Sequence, residues 1–131
     1  MIRLALGFAA LIAFLSVLAD TRNLGPLMMA YDFPYGDKIG HIGLYGVLTL
    51  LVNLAVSQIR GRSSTRSVLT VSTIMLALVS LEELSQLLFP ARTVDWRDLA
   101  ASYIGVSYFA CLSLFIIEWR RLNVVFVPRR A

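Results

Sequence analysis

The sequence is poor in the residues that most protein chemistry relies on. It has one cysteine and one histidine in 131 residues, and only 15% of its residues are charged. A single cysteine excludes a disulfide framework, and there is no CxxC spacing for a thiolate metal site. One histidine supported only by carboxylates is a thin ligand set for zinc. No metal and no cofactor is expected. The phosphatase signatures of lipid-phosphate enzymes are absent. Alternation of apolar and polar residues is missing too. A transmembrane β-barrel needs about eight or more alternating strands, whereas TLLVNLAV and LSLFII are apolar on all sides.

What is abundant is apolar surface. Hydrophobic residues make up 58% of the chain and the mean hydropathy is +0.75. Soluble domains average roughly 45–50% apolar and about 25% charged. The excess falls in four runs, Leu4–Ala19, Ile39–Ser57, Val68–Leu88 and Leu99–Ile117. Crossing a hydrocarbon core takes about 20 mainly apolar residues. Three runs meet that length and the first is slightly short. In lipid every backbone N–H and C=O needs an internal partner, which leaves helices as the consistent form. The expected fold is all-α, a polytopic membrane protein with a four-transmembrane-helix bundle in one domain spanning 1–131. Cys111, inside the fourth run, is expected as a small buried apolar residue.

Charge sets the direction. Four crossings put Arg3, Arg60, Arg62, Arg66, Arg120, Arg121, Arg129 and Arg130 on one side, against Arg22, Lys38, Arg92 and Arg97 on the other. Basic residues collect on the cytoplasmic side of short loops. Both termini are therefore expected in the cytoplasm, with the protein in the bacterial inner membrane. This topology also explains the net charge of +4 without a nucleic-acid partner. Arg3, the apolar stretch and Val17-Leu18-Ala19 before Asp20 also resemble a cleavable secretory signal; the other three helices keep their topology in either case. The segment 24–36 is expected to lie in the outer interface, and the tail Asn123–Ala131 on the inner surface.

The costly residues gather at one level. A charged side chain near the bilayer centre costs roughly 2.5–3.5 kcal/mol on insertion scales, so such residues point to function. Asp37, His41 and Tyr45 are spaced i, i+4, i+8 and share one helix face. Gly40, Gly43 and Gly46 lie beside them, and small residues let another backbone come close, which offers a surface for a partner membrane protein or a homo-oligomer. Glu82 and Glu83 lie just inside the end of the third run, with Gln86 in reach of either. Lys38, His41, Arg92 and Arg97 are the cationic partners at that end. Asp95 followed by Asp98 reads as an N-cap with an acidic third residue. Asp98, Ser102 and Gly105 share one face of the fourth helix. The opposite halves of the helices hold only mild polar residues such as Asn53, Thr70 and Ser72.

These residues resemble a known family. DKIGHIGLYGVL at 37–48 is similar to the DK-xx-H-xxx-Y-xx-L segment of the VanZ-like family. EELSQLLFPARTVDWRDLAASYIG at 82–105 is similar to its E-xx-Q, P-x-R-xx-D-xx-D and N-xx-G segment. The resemblance covers the second to fourth helices. It marks Asp37, Lys38, His41, Tyr45, Glu83, Gln86, Arg92, Asp95, Asp98 and Gly105. Ser102 stands where the family usually has Asn, with a shorter hydrogen-bonding reach. The family's namesake is associated with low-level resistance to the glycopeptide teicoplanin, apart from the enzymes that remodel the peptidoglycan terminus. The resemblance fixes the fold better than the function; the first functional reading is a non-enzymatic envelope protein whose outer polar cluster binds a membrane lipid, a cell-wall precursor or a glycopeptide-type ligand. Two alternatives stay open. One is an accessory subunit of a larger membrane complex. The other is an intramembrane hydrolase using Glu82/Glu83 and His41, although the further His and the Arg after the Glu pair that such proteases use are missing.

Overall fold

The computed structural model describes residues 1–20, 34–60, 65–89 and 94–125. Four α-helices account for nearly all of them: α1 (Ile2–Asp20), α2 (Gly36–Arg60), α3 (Thr65–Ser85) and α4 (Trp96–Val125). A 3-10 turn, Gln86–Leu88, extends α3. No strand occurs among the described residues. The stretches Gly36–Ile59, Thr65–Leu88 and Trp96–Leu122 are long and apolar enough to cross a membrane, and the apolar part of α1, Ile2–Leu18, is shorter. The chain is an all-α membrane bundle, as its composition required.

The helices differ from the apolar runs mainly at their ends. α2, α3 and α4 begin at Gly36, Thr65 and Trp96 rather than at 39, 68 and 99. The added first turns, Gly36-Asp37-Lys38, Thr65-Arg66-Ser67 and Trp96-Arg97-Asp98, are polar or mixed. A hydrophobicity criterion omits such turns because they are hydrogen-bonded helix outside the apolar stretch. α4 continues past 117 to Val125, so Trp119, Arg120 and Arg121 are helical. At the far end of α3, Phe89 turns extended, φ −114 and ψ 116. It precedes Pro90, whose ring crowds the preceding residue out of the helical region. Of the segments singled out in the sequence, 21–33, 61–64, 90–93 and 126–131 lie outside the described residues.

α2 is the centre of the bundle. It packs most extensively on α4, while α3 lies against both and α1 lies against α2. Two apolar clusters fill the interior. One joins Ile12, Tyr45, Leu48, Met75, Val79 and Val106. The other joins Leu54, Val68 and Ile117. The outside is equally apolar: Leu6, Leu69, Leu78, Leu81, Ile104, Phe115 and others are exposed. Cys111 is on this outer surface too, not in the core as expected. In lipid an apolar side chain has no reason to prefer the interior, because the solvent is as apolar as the core.

Two glycines set the α2–α4 distance. At Gly105 an added Cβ would fall against the Ile42 carbonyl oxygen and 2.9 Å from the Ile42 Cα. At Gly46 it would strike the Phe109 ring. Gly46 therefore faces this chain's own α4, whereas Gly43 has nothing within 4 Å. Gly105→Ala has only backbone to push against. It is expected to destabilise the bundle by roughly 1–3 kcal/mol, the usual cost of overpacking. Gly43→Ala should leave the thermal midpoint of the detergent-solubilised protein unchanged or raise it, since alanine is the better helix former. Equal midpoints for the two variants would show that the close crossing does not limit stability.

Candidate functional site

The helix starts aim the polar side chains. Asp95 caps α4: its Oδ1 accepts the Arg97 N–H at 2.9 Å, and its carbonyl accepts the Asp98 N–H at 2.9 Å. This side-chain bond fills one of the orphan donors of the first turn. It is also the main reason the Asp95 carboxyl stays below the usual carboxylate range, helped by the Lys38 charge. Asp98 follows in the first turn of α4 and Asp37 in that of α2, both near the positive end of a helix dipole. Tyr35, just before α2, has φ 66, a left-handed conformation uncommon for a bulky residue, and its carbonyl accepts the Ile39 N–H.

Lys38 ties these starts together. Its Nζ lies 2.6 Å from Asp37 Oδ2, 2.8 Å from Asp98 Oδ1 and 3.5 Å from Asp95 Oδ2. One ammonium thus links α2 to the cap and first turn of α4. His41, one turn deeper, places Nδ1 3.0 Å from Ser102 Oγ and Nε2 3.9 Å from Asp98 Oδ2. The first contact is a hydrogen bond; the second is too long to be one.

The glutamates take a different set of partners. Tyr45 Oη donates to Glu82 Oε2 at 2.9 Å, and Ser16 Oγ of α1 donates to Glu82 Oε1 at 3.3 Å. Glu83 is 2% exposed; its Oε2 accepts from Gln86 Nε2 at 3.0 Å and its Oε1 from the Asp95 N–H at 2.9 Å. Glu83 therefore anchors the start of α4 to the end of α3. Lys38, expected as a partner for this pair, goes to the aspartates instead. Tyr45, Ser16, Gln86 and the Asp95 N–H, the donors that meet the two glutamates among the described residues, are all neutral.

All the site residues proposed from the sequence fall at this end of the bundle except two. Arg92 lies outside the described residues. Gly105 sits a turn deeper, against the Ile42 backbone rather than among the polar groups. Ser16 was missed, because a lone serine in an apolar run carries no signal until its helix is docked. The chain matches no family model, no curated protein and no solved structure.

The arrangement limits the chemistry. Among the described residues no group of three or more His, Cys, Asp or Glu side chains is placed to hold a metal ion. His41 turns toward Ser102 and Asp98, while Glu82 is engaged by Tyr45 and Ser16. Ser102, His41 and Asp98 have the residue types of a nucleophilic triad. Yet Ser102 is 1% exposed and the His41–Asp98 gap is 3.9 Å, so no nucleophile is presented to a substrate.

Two outcomes are expected. Tyr45→Phe removes the shorter of Glu82's two bonds inside the bundle and should cost about 0.5–1.5 kcal/mol, the usual net worth of a hydrogen bond to a half-buried group; an unchanged thermal midpoint would show that another donor replaces the hydroxyl. Lys38→Met should weaken the acid response. In the wild type, Asp95 titrates lower folded than unfolded, so its contribution is complete above its unfolded value near 3.9 and is lost as pH falls through its lower folded value. Without Lys38 the Arg97 N–H bond still lowers Asp95 but the ammonium's share is gone, so the midpoint should fall less on acidification than in the wild type. Melting curves between neutral and acidic pH decide it.

Proposed function

We propose that the chain is a VanZ-like integral membrane protein of the bacterial cytoplasmic membrane. In this reading both termini are cytoplasmic, and the polar end faces outward to bind the polar head of a lipid, a cell-wall precursor or a glycopeptide-type ligand. One observation carries the reading. Carboxylates, an ammonium, an imidazole and a buried amide from the ends of α2, α3 and α4 meet at one end of an otherwise apolar bundle. Most of the motif residues that carry the family resemblance are among them: Asp37, Lys38, His41, Tyr45, Glu83, Gln86, Asp95 and Asp98. The excess of arginine at the opposite end supports the orientation.

The charge balance narrows the ligand. Among the residues whose side chains are described, the polar end carries the carboxyl groups of Asp37, Glu82, Glu83, Asp95 and Asp98 and the permanent cations Lys38 and Arg97. Lys38 is held by three of those carboxylates. The Asp37 and Asp95 side chains remain 57% and 38% exposed, so they are the groups open to a ligand amine. Arg92 is the cation assigned to a ligand phosphate or carboxylate, a contact that favours guanidinium over ammonium. The ligand that fits is zwitterionic, with amine and anionic groups close together.

A second reading rests on Gly43. Its open surface leaves space for a helix of another membrane protein or of a second copy. A stoichiometric partner that co-purifies in mild detergent and is lost in Gly43→Leu would favour an accessory role.

Binding to nanodisc-reconstituted protein tests the first reading. Phosphatidylethanolamine, a lipid-linked cell-wall precursor and teicoplanin are the probes. Arg92→Ala should abolish binding while the protein still inserts and melts normally, and Asp95→Asn should weaken binding of the amine-bearing probes. Wild-type affinity in Arg92→Ala overturns the assignment.

A further inference from the structure

The polar stripe of α2 does not stop at the site. Continuing in steps of four from Asp37, His41 and Tyr45 it reaches Thr49 and Asn53, which are 0% and 1% exposed. Asn53 lies about two turns from the far end of α2, and Ser72 about two turns from that same end of α3, roughly 10 Å in each case. Ser113 of α4 joins this level directly, since Asn53 Nδ2 donates to Ser113 Oγ at 3.3 Å. Ser72 lies between Val68 and Met75, which belong to the two different apolar clusters. Three helices thus contribute a thin polar layer between those clusters.

The layer is short of protons. Thr49 Oγ1 donates to the Tyr45 carbonyl at 2.7 Å, and Ser113 Oγ to the Phe109 carbonyl at 2.7 Å. Both hydroxyl hydrogens are therefore committed to their own helices, as is common for Ser and Thr in helices. Asn53 Oδ1 is buried with no donor, and Ser72 Oγ is buried with no partner at all. An amide oxygen cannot satisfy itself by turning to its own backbone. Buried polar groups left in this condition usually mark an ordered water, which needs two to four polar partners.

We propose that the bundle core holds a structural water bound between Asn53 Oδ1 and Ser72 Oγ. The water donates one hydrogen to Asn53 Oδ1. It accepts the Ser72 hydroxyl hydrogen, and its second hydrogen is available to a free lone pair of Thr49 or Ser113. It bridges α2 to α3 at the level where Asn53 already bridges α2 to α4. The site lies far from the polar end and does not depend on the ligand reading.

A structure of the protein in lipid nanodiscs, at a resolution that shows ordered waters, tests this directly. Density at hydrogen-bond distance from both atoms is expected. Water-to-protein magnetisation transfer in solid-state NMR should reach the Asn53 side-chain amide, and should be lost or strongly reduced in Ser72→Ala. In a double-variant cycle, Asn53→Leu and Ser72→Ala should be non-additive in thermal midpoint. The proposal is overturned by a direct Asn53–Ser72 bond, by a Ser72 hydroxyl turned back to the Val68 carbonyl with no density beside Asn53, or by additive substitutions without water transfer.

Discussion

The bundle depends on one ion cluster placed at one helix junction. Lys38 brings its ammonium to the cap and the first turn of α4 and to its own neighbour Asp37. Without that charge, three carboxylates would converge at the starts of α2 and α4. Below it the two helices come so close that Gly105 meets the Ile42 backbone. The polar contact and the close crossing support each other. The crossing brings Asp95 and Asp98 within reach of Lys38, and the ammonium permits acidic groups at both helix starts. Such a cluster is no guarantee of stability, because desolvating ions costs about as much as pairing them returns. Its value lies in specifying which helix ends meet.

Around this junction the interior is graded. The polar end uses ions, His41–Ser102 and the glutamate contacts to join all four helices, since Ser16 brings α1 to Glu82. The middle is an apolar cluster around Leu48, Met75 and Val106. A thin layer of neutral polar groups follows, and then a second, smaller apolar cluster. Polar contacts between helices are informative in a membrane protein because apolar contacts discriminate little. A leucine facing lipid and a leucine facing another helix are in similar surroundings. Hydrogen bonds therefore carry much of the information about which faces pair.

Parts of this arrangement are legible in the sequence for plain physical reasons. Period-four spacing of Asp37, His41 and Tyr45 puts them on one face of any helix. The Asp95–Asp98 pattern declares a helix start, and the structure has that cap. The spacing of Gln86 allowed either glutamate, and Glu83 is the one it meets. Other features were not legible. That Lys38 would choose aspartates over glutamates depends on the rotation of α4 relative to α2. That Asn53 would be buried among groups with too few hydrogens depends on three helices at once. Its position on the same period-four stripe was the available signal, though a neutral amide in an apolar run attracts little notice.

Apolar helices follow from composition, because backbone groups in lipid have no other partners, and the depth of each residue follows from its place in the run, because rise per residue is constant. The acidic residues, Glu118 apart, were bound by the same reasoning to gather at one level. Which charges pair and which residues face lipid came from the packing of the helices. Cys111 turned out to be exterior and Gly46 interior, and nothing in their local sequence distinguishes the two fates. Pairing and facing depend on helix rotation and crossing distance, which are set by contacts between residues far apart in the chain.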